Sequence, residues 1–259
     1  MDEMMNMRCL IAIVSLVMAA SCGAPPSGTA TPASSTMSAA TADPAALQSW
    51  RVVLVAGDNS IPVFDNAVDA LRGILAGKPG VEVRMLTSDL QRQAADRPIA
   101  TADSIDGALQ GSAAQGCFVY LTSHGSEEGL LLHEDFDNHK TLSPSRLDRI
   151  LDRECGARPT VVVVSACHSG VFIGRPSKAD NRIWLTAARE DRVSFGCGAE
   201  FQYTYFDNCV LSAWPKSRTF QQLFDRTETC VRLRESELSQ APSMPQAFFG
   251  AGVKDLALP

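Results

Sequence analysis

The chain has 259 residues, 45% hydrophobic and 20% charged, which suits one globular domain of about 200 residues plus an appendage. A formal net charge of -6 and a pI near 5.2, with no run of Lys or Arg, leave no basic face for phosphates and speak against a nucleic-acid partner. No C-x-x-C spacing occurs and the histidines do not cluster with the cysteines, so metal-type spacing is absent.

In chain order, Arg8 precedes an apolar run, Cys9 to Ala20, too short and too soon followed by polar residues to span a bilayer stably. It ends in "MAASC", small residues before Cys22, and resembles a bacterial lipoprotein signal in which that Cys becomes the lipidated first residue. Residues 1–21 are therefore read as a lipoprotein-type signal peptide, the alternative being an ordinary signal cut beside Cys22. Residues 22–46, built almost wholly of Gly, Ala, Pro, Ser and Thr, cannot bury enough apolar surface to offset chain entropy and read as a disordered tether. With no Asp after Cys22, the expected place is the cell envelope: a lipid anchor in the outer membrane, facing the periplasm.

Residues 47–259 form the expected folded domain. Arg51–Gly57 is a short continuous apolar run, the mark of a strand covered on both faces. Val63, Ala67, Leu71, Ile74 and Leu75 share one helical face, closed by Gly77 and Pro79. Strands are expected over Val81–Ser88, Cys117–Ser123, Thr160–Ala166, Arg182–Ala188 and Pro245–Gly252. Helices are expected in "TADSIDGALQGSA", in "LSPSRLDRILDREC" opened by Ser143 or Ser145, and over Thr219–Leu238. Such alternation predicts a mostly parallel sheet of about six strands flanked by helices, with any site at the carboxyl ends of the strands.

Two motifs fall at such ends. "CFVYLTSHG" places His124 just past one strand, and "VVVVSACHSG" places Cys167 just past the next. Consecutive parallel strands joined by one helix are usually neighbours, so the two side chains are expected across one crevice. An imidazole beside a thiol can take its proton and release the nucleophilic thiolate. The backbone N–H groups of Gly125 and Cys167 are natural donors to an oxyanion. His168 competes with His124 for the role of base, but its place beside Cys167 on a turn is expected to point it away. His133 and His139, with Glu134, Asp135 and Asp137, match no metal spacing and read as a solvated hairpin.

Of the remaining cysteines, Cys117 and Cys155 both fall at the amino end of the sheet, where a disulfide is plausible in an oxidising compartment. Cys197, Cys209 and Cys230 could supply a second, leaving one thiol besides Cys167.

"FVYLTSHGSEEGLLL" followed by "VVVVSACHSGVF" resembles the paired motifs of the legumain-type cysteine peptidases of the caspase-like clan. "WRVVLVAGDN", "IWLTAA" and "PQAFFG" resemble the framework strands of that fold, so the likeness runs from Trp50 to Gly252. It implies a caspase-like three-layer sandwich, Cys167 as nucleophile, His124 as general base or acid and Gly125 as oxyanion donor. It also implies cleavage of protein or peptide substrates through a thioester, without metal or cofactor. Legumains carry acids where this chain has Ser123 and Ser165, and an Arg-His pocket pair where it has Asp65 and Asn66. Asp207 falls near another acidic pocket position. Asp65, Ser165, Asp207 and Ser194 are accordingly the candidate substrate-binding residues, and Asp65 suggests a basic residue before the scissile bond unless it merely caps its helix.

The expected function is a cysteine endopeptidase. A peptide ligase of the same family and a non-catalytic module on the same fold are the alternatives. A cysteine phosphatase is excluded because position 173 is Ile where that chemistry needs Arg, and a nucleotide hydrolase because no Gly-rich loop with Lys occurs.

Overall fold

Fully buried apolar runs set the frame. A computed structural model describes residues 47, 49–111, 115–135, 138–174 and 177–259, with side chains described for all of these except 133–139. The signal and tether, Cys22 included, lie outside the described residues, as do the side chains of His133 to His139.

The elements are β1 (Ser49–Ala56), α1 (Val63–Leu75), β2 (Val81–Leu86), α2 (Ala102–Leu109), β3 (Gln115–Thr122), β4 (Gly125–Ser126), β5 (Gly129–Asp135) and β6 (Asn138–Leu142). After them come α3 (Pro144–Glu154), β7 (Thr160–Ser165), β8 (Arg182–Thr186), α4 (Tyr205–Ala213), α5 (Phe220–Glu237) and β9 (Gln246–Phe249). Six strands form one sheet in the order β2-β1-β3-β7-β8-β9. All pairs are parallel except β8 with β9. The antiparallel β4-β5-β6 ribbon stands apart as a second sheet, where a hairpin was expected.

Alternation along the strands divides the core into two layers. Val52, Leu54, Phe118, Tyr120, Val161, Val163, Ile183 and Leu185 face α1, α4 and α5. Val53, Val55, Val119, Leu121, Val162, Val164 and Trp184 face α2, α3 and the ribbon. Val161 to Val164 are each 0% exposed, because both faces of β7 are covered. At about 1.5–3 kcal/mol per buried side chain, that run alone anchors the centre of the sheet. The architecture is the three-layer α/β sandwich of the caspase-like fold.

Local signals hold at most helix starts. Thr101, Ser143 and Thr219 cap α2, α3 and α5 through side-chain oxygens that accept from backbone N–H groups three residues on. At α1 the N-cap is Pro62 with no side-chain cap, so Asp65 sits inside the first turn and does not cap the helix. Helix α4 was not among the expected elements. Tyr205 and Phe206 are buried as the first turn of a helix capped by Thr204. Among the described residues no helix is long and apolar enough to cross a membrane.

Two disulfides staple the layers. Cys117–Cys155 ties the start of β3 to the end of α3, and Cys209–Cys230 ties α4 to α5, with Cα separations of 6.1 and 5.7 Å. Cys167 and Cys197 are free. The loops closed span 38 and 21 residues, so each bridge is expected to stabilise the fold by about 3–4 kcal/mol through the unfolded chain. Chemical denaturation of a Cys117→Ala/Cys155→Ala variant should show a loss of that size. An unchanged denaturation midpoint would mean that the bridge does not form in solution.

Candidate active site

Strands β3 and β7 pair in parallel with Thr122 beside Ser165, the last residue of each. The Ser123 N–H then donates to the Ser165 carbonyl at 3.2 Å, carrying the pairing one step past the strand ends. His124 and Cys167 each lie two residues beyond these partners, so the sheet register brings both positions to the same edge of the sheet. The His124 carbonyl accepts from the Leu131 N–H at 2.9 Å, which fixes the turn into the ribbon. Its ring meets Phe64 of α1 edge-on, with centroids 5.1 Å apart and planes at 83°.

Gly125 packs directly on the nucleophile's backbone. A Cβ built there would lie 2.4 Å from the Cys167 carbonyl oxygen and 2.9 Å from the Ala166 Cβ, distances no side chain tolerates. Any other residue at 125 would push the two strand ends apart.

Cys167 is partly exposed. Its sulfur accepts from the Ser194 N–H at 3.3 Å and lies 3.5 Å from the Ser194 carbonyl, to which the thiol donates. Ser194 is thus in direct contact with the sulfur. The turn after Cys167 is sharp: His168 adopts the left-handed conformation, φ 56° and ψ 14°. Such backbone costs about 1–2 kcal/mol for a non-glycine residue. Two bonds hold it there, from the His168 N–H to the Arg192 carbonyl at 2.7 Å and between His168 Nδ1 and the Glu190 carbonyl at 2.9 Å. The His168 ring is therefore committed to the 190–192 loop, as its position on the turn suggested.

The other candidates divide. Asp207 and Ser165 are 0% and 1% exposed, beneath the strand ends and not on the wall of a crevice. Asp207 accepts from the Tyr120 hydroxyl at 2.6 Å and the Thr122 hydroxyl at 2.8 Å, while its own N–H donates to the Thr204 hydroxyl. The Ser165 and Thr204 hydroxyls are 3.3 Å apart in the same cluster. Burial holds the Asp207 carboxyl above its ordinary 3.8, although hydrogen bonds from Tyr120, Ser165, Thr122 and Thr204 pull it down. The same burial, with Asp207 alongside, pushes the Tyr120 phenol well above 10.

Asp65 is corrected. It is 2% exposed, and one carboxylate oxygen accepts from both Thr87 Oγ1 at 2.9 Å and Arg97 Nη2 at 2.7 Å. Its charge is compensated by Arg97, so it offers no free acid to a basic substrate side chain. Its neighbour Asn66 donates to the Gln202 carbonyl at 3.1 Å, bridging α1 to the segment before α4.

Sequence reasoning passed over Asp58 and Ser60, which follow β1. Asp58 is 2% exposed and accepts from the Ser60 N–H at 2.8 Å and from the Ser60 hydroxyl. That hydroxyl lies 3.5 Å from His124 Nε2. The signal was present, because β1 is a central strand whose carboxyl end opens on the same edge as those of β3 and β7. Among the described residues, no group of three or more His, Cys, Asp or Glu is placed to hold a metal ion.

A caspase-like sandwich with a cysteine and a histidine at adjoining strand ends is a framework for thiol chemistry. The comparison with known families narrows this further: the model of the Peptidase C13 family matches residues 99–248, more than half of the chain and inclusive of both motifs. The protein belongs to that family, the legumain-type cysteine peptidases. No curated protein matches the chain.

Among the described residues, the two free thiols differ in surroundings. Burial pushes Cys197 up to about 12, with Cys167 and Asp207 nearby adding to the shift. At pH 8 only about one Cys197 in ten thousand is then thiolate. Brief treatment of the non-reduced protein with iodoacetamide at pH 8, followed by peptide mapping, should alkylate Cys167 and spare Cys197. Equal labelling of both would contradict this environment for Cys197.

Proposed function

We propose that the protein is a cysteine endopeptidase in which Cys167 and His124 form the catalytic dyad. His124 takes the Cys167 thiol proton, and the thiolate attacks the carbonyl carbon of the scissile peptide bond. The carbonyl electron pair moves onto oxygen, where the N–H groups of Gly125 and Cys167 donate to it. When the tetrahedral intermediate collapses, the C–N bond breaks and the His124 imidazolium gives its proton to the departing amine. The thioester left on Cys167 is opened by water, with His124 now taking a proton from that water. An amine in place of water would give ligation by the same route.

The observation that carries this reading is the contact of Gly125 with the Cys167 backbone. It supports a close approach of the backbones that carry the glycine N–H and the thiol, and membership of a peptidase family supplies the reaction class. Ser194 is proposed to line the substrate crevice beside the sulfur. Asp207 and Ser165 are proposed to shape it from below. The proposed setting is a bacterial envelope, with the enzyme held by lipid on Cys22 through the tether of residues 22–46.

The test uses protein lacking residues 1–46 and a reduced, mixed peptide library read by mass spectrometry. Wild type should cleave, and Cys167→Ala and His124→Ala should each lose about 10³-fold or more in rate. Added amines that divert product into new amide bonds would mark a ligase. Wild type inert in both assays, beside unchanged variants, would overturn the enzyme reading in favour of a binding module.

A further inference from the structure

We infer that Ser60 is a positioning residue that couples the buried carboxylate of Asp58 to His124 Nε2 and so selects the tautomer of the catalytic base. The inference rests on His124 being that base.

Strand β1 leaves the core at Ala56, and the turn that follows buries a charged side chain, Asp58, to 2% exposure. A buried carboxylate needs donors. Ser60 supplies two, its backbone N–H at 2.8 Å and its hydroxyl, both to the same Asp58 oxygen. A serine hydroxyl has one proton and two lone pairs. With its proton given to Asp58, it can only accept from His124 Nε2, which stands 3.5 Å away. Nε2 must then carry the ring proton and Nδ1 must be bare. That distance is at the outer limit of hydrogen-bond range, as catalytic contacts often are before substrate binds.

The arrangement has two chemical consequences. The unprotonated Nδ1 is left as the nitrogen that receives the thiol proton. When it does so, the imidazolium formed is met at Nε2 by a hydroxyl already polarised toward an anion. Phe64 packs edge-on against the ring and limits its rotation, so the Nε2 contact decides which nitrogen faces which way. Ser60 itself is solvent-exposed, and its loss leaves no hole in the core.

The experiment compares wild type, Ser60→Ala and Ser60→Thr in two independent readouts. Nitrogen-15 NMR of the imidazoles, at a pH where they are neutral and with His124 identified by its loss in His124→Ala, reads the tautomer whether or not the protein cleaves peptides. Wild type and Ser60→Thr should hold His124 as the Nε2–H tautomer, and Ser60→Ala should show a mixture. In the cleavage assay Ser60→Ala should lower kcat by about tenfold or more with little change in KM, and Ser60→Thr should restore most of it. A His124 spectrum unchanged in Ser60→Ala overturns the coupling, and so does an unchanged kcat in an active enzyme. A wild type that does not cleave counts against the peptidase reading, and the NMR comparison still decides for or against Ser60.

Discussion

The parallel pairing of β3 with β7 is the interaction on which the rest depends. The two strands are buried on both faces, run in the same direction and end in register at Thr122 and Ser165. Because a one-residue slip would exchange the side chains of each strand between the two buried layers and undo their packing, the positions two residues further on are firmly set. His124 and Cys167 follow those ends through tight backbone, with a glycine at 125 packed on the Cys167 carbonyl and a left-handed turn at 168. Rigidity at these two positions thus comes from hydrophobic burial several residues away.

Beneath that edge the fold tolerates a polar layer that core packing alone would forbid. Asp207 is wholly buried and takes its donors from neutral hydroxyls, Tyr120 and Thr122 on β3 among them. With Thr204 capping the same helix, the cluster binds the first turn of α4 to the ends of the strands that deliver His124 and Cys167. Asp65 and Arg97 make a similar tie on the other side, between α1 and the segment after β2. The first turns of α1 and α4 are held near the strand ends by the buried acids Asp65 and Asp207.

Much of this was legible in the sequence. The apolar runs announced their strands because each is covered on both faces, and His-Gly and Ala-Cys announced a site because polar, reactive residues stand where buried strands stop. Strand direction put Cys117 and Cys155 at the same end of the sheet, which made their pairing a candidate. What escaped reading depends on partners far along the chain. The fate of Asp65 is decided by Arg97, 32 positions away, and no local pattern carries that pairing. Helix α4 hid behind aromatic and β-branched residues that read equally well as buried wall. The choice of Cys209 over Cys197 as the partner of Cys230 is a matter of how α4 lies against α5. Asp58 and Ser60 look like ordinary turn residues until the turn is seen to close on His124.

The central claim is that β7 delivers Cys167 as a nucleophile to a carbonyl held against Gly125 and His124. Its most direct test is a crystal structure with a peptide aldehyde, which forms a reversible tetrahedral adduct with an active thiol. The account predicts a bond between Cys167 Sγ and the aldehyde carbon, the new oxygen within hydrogen-bond reach of the Gly125 N–H, and His124 beside the sulfur. An aldehyde bound to another side chain, or an adduct at Cys167 with its oxygen turned away from Gly125, would contradict it.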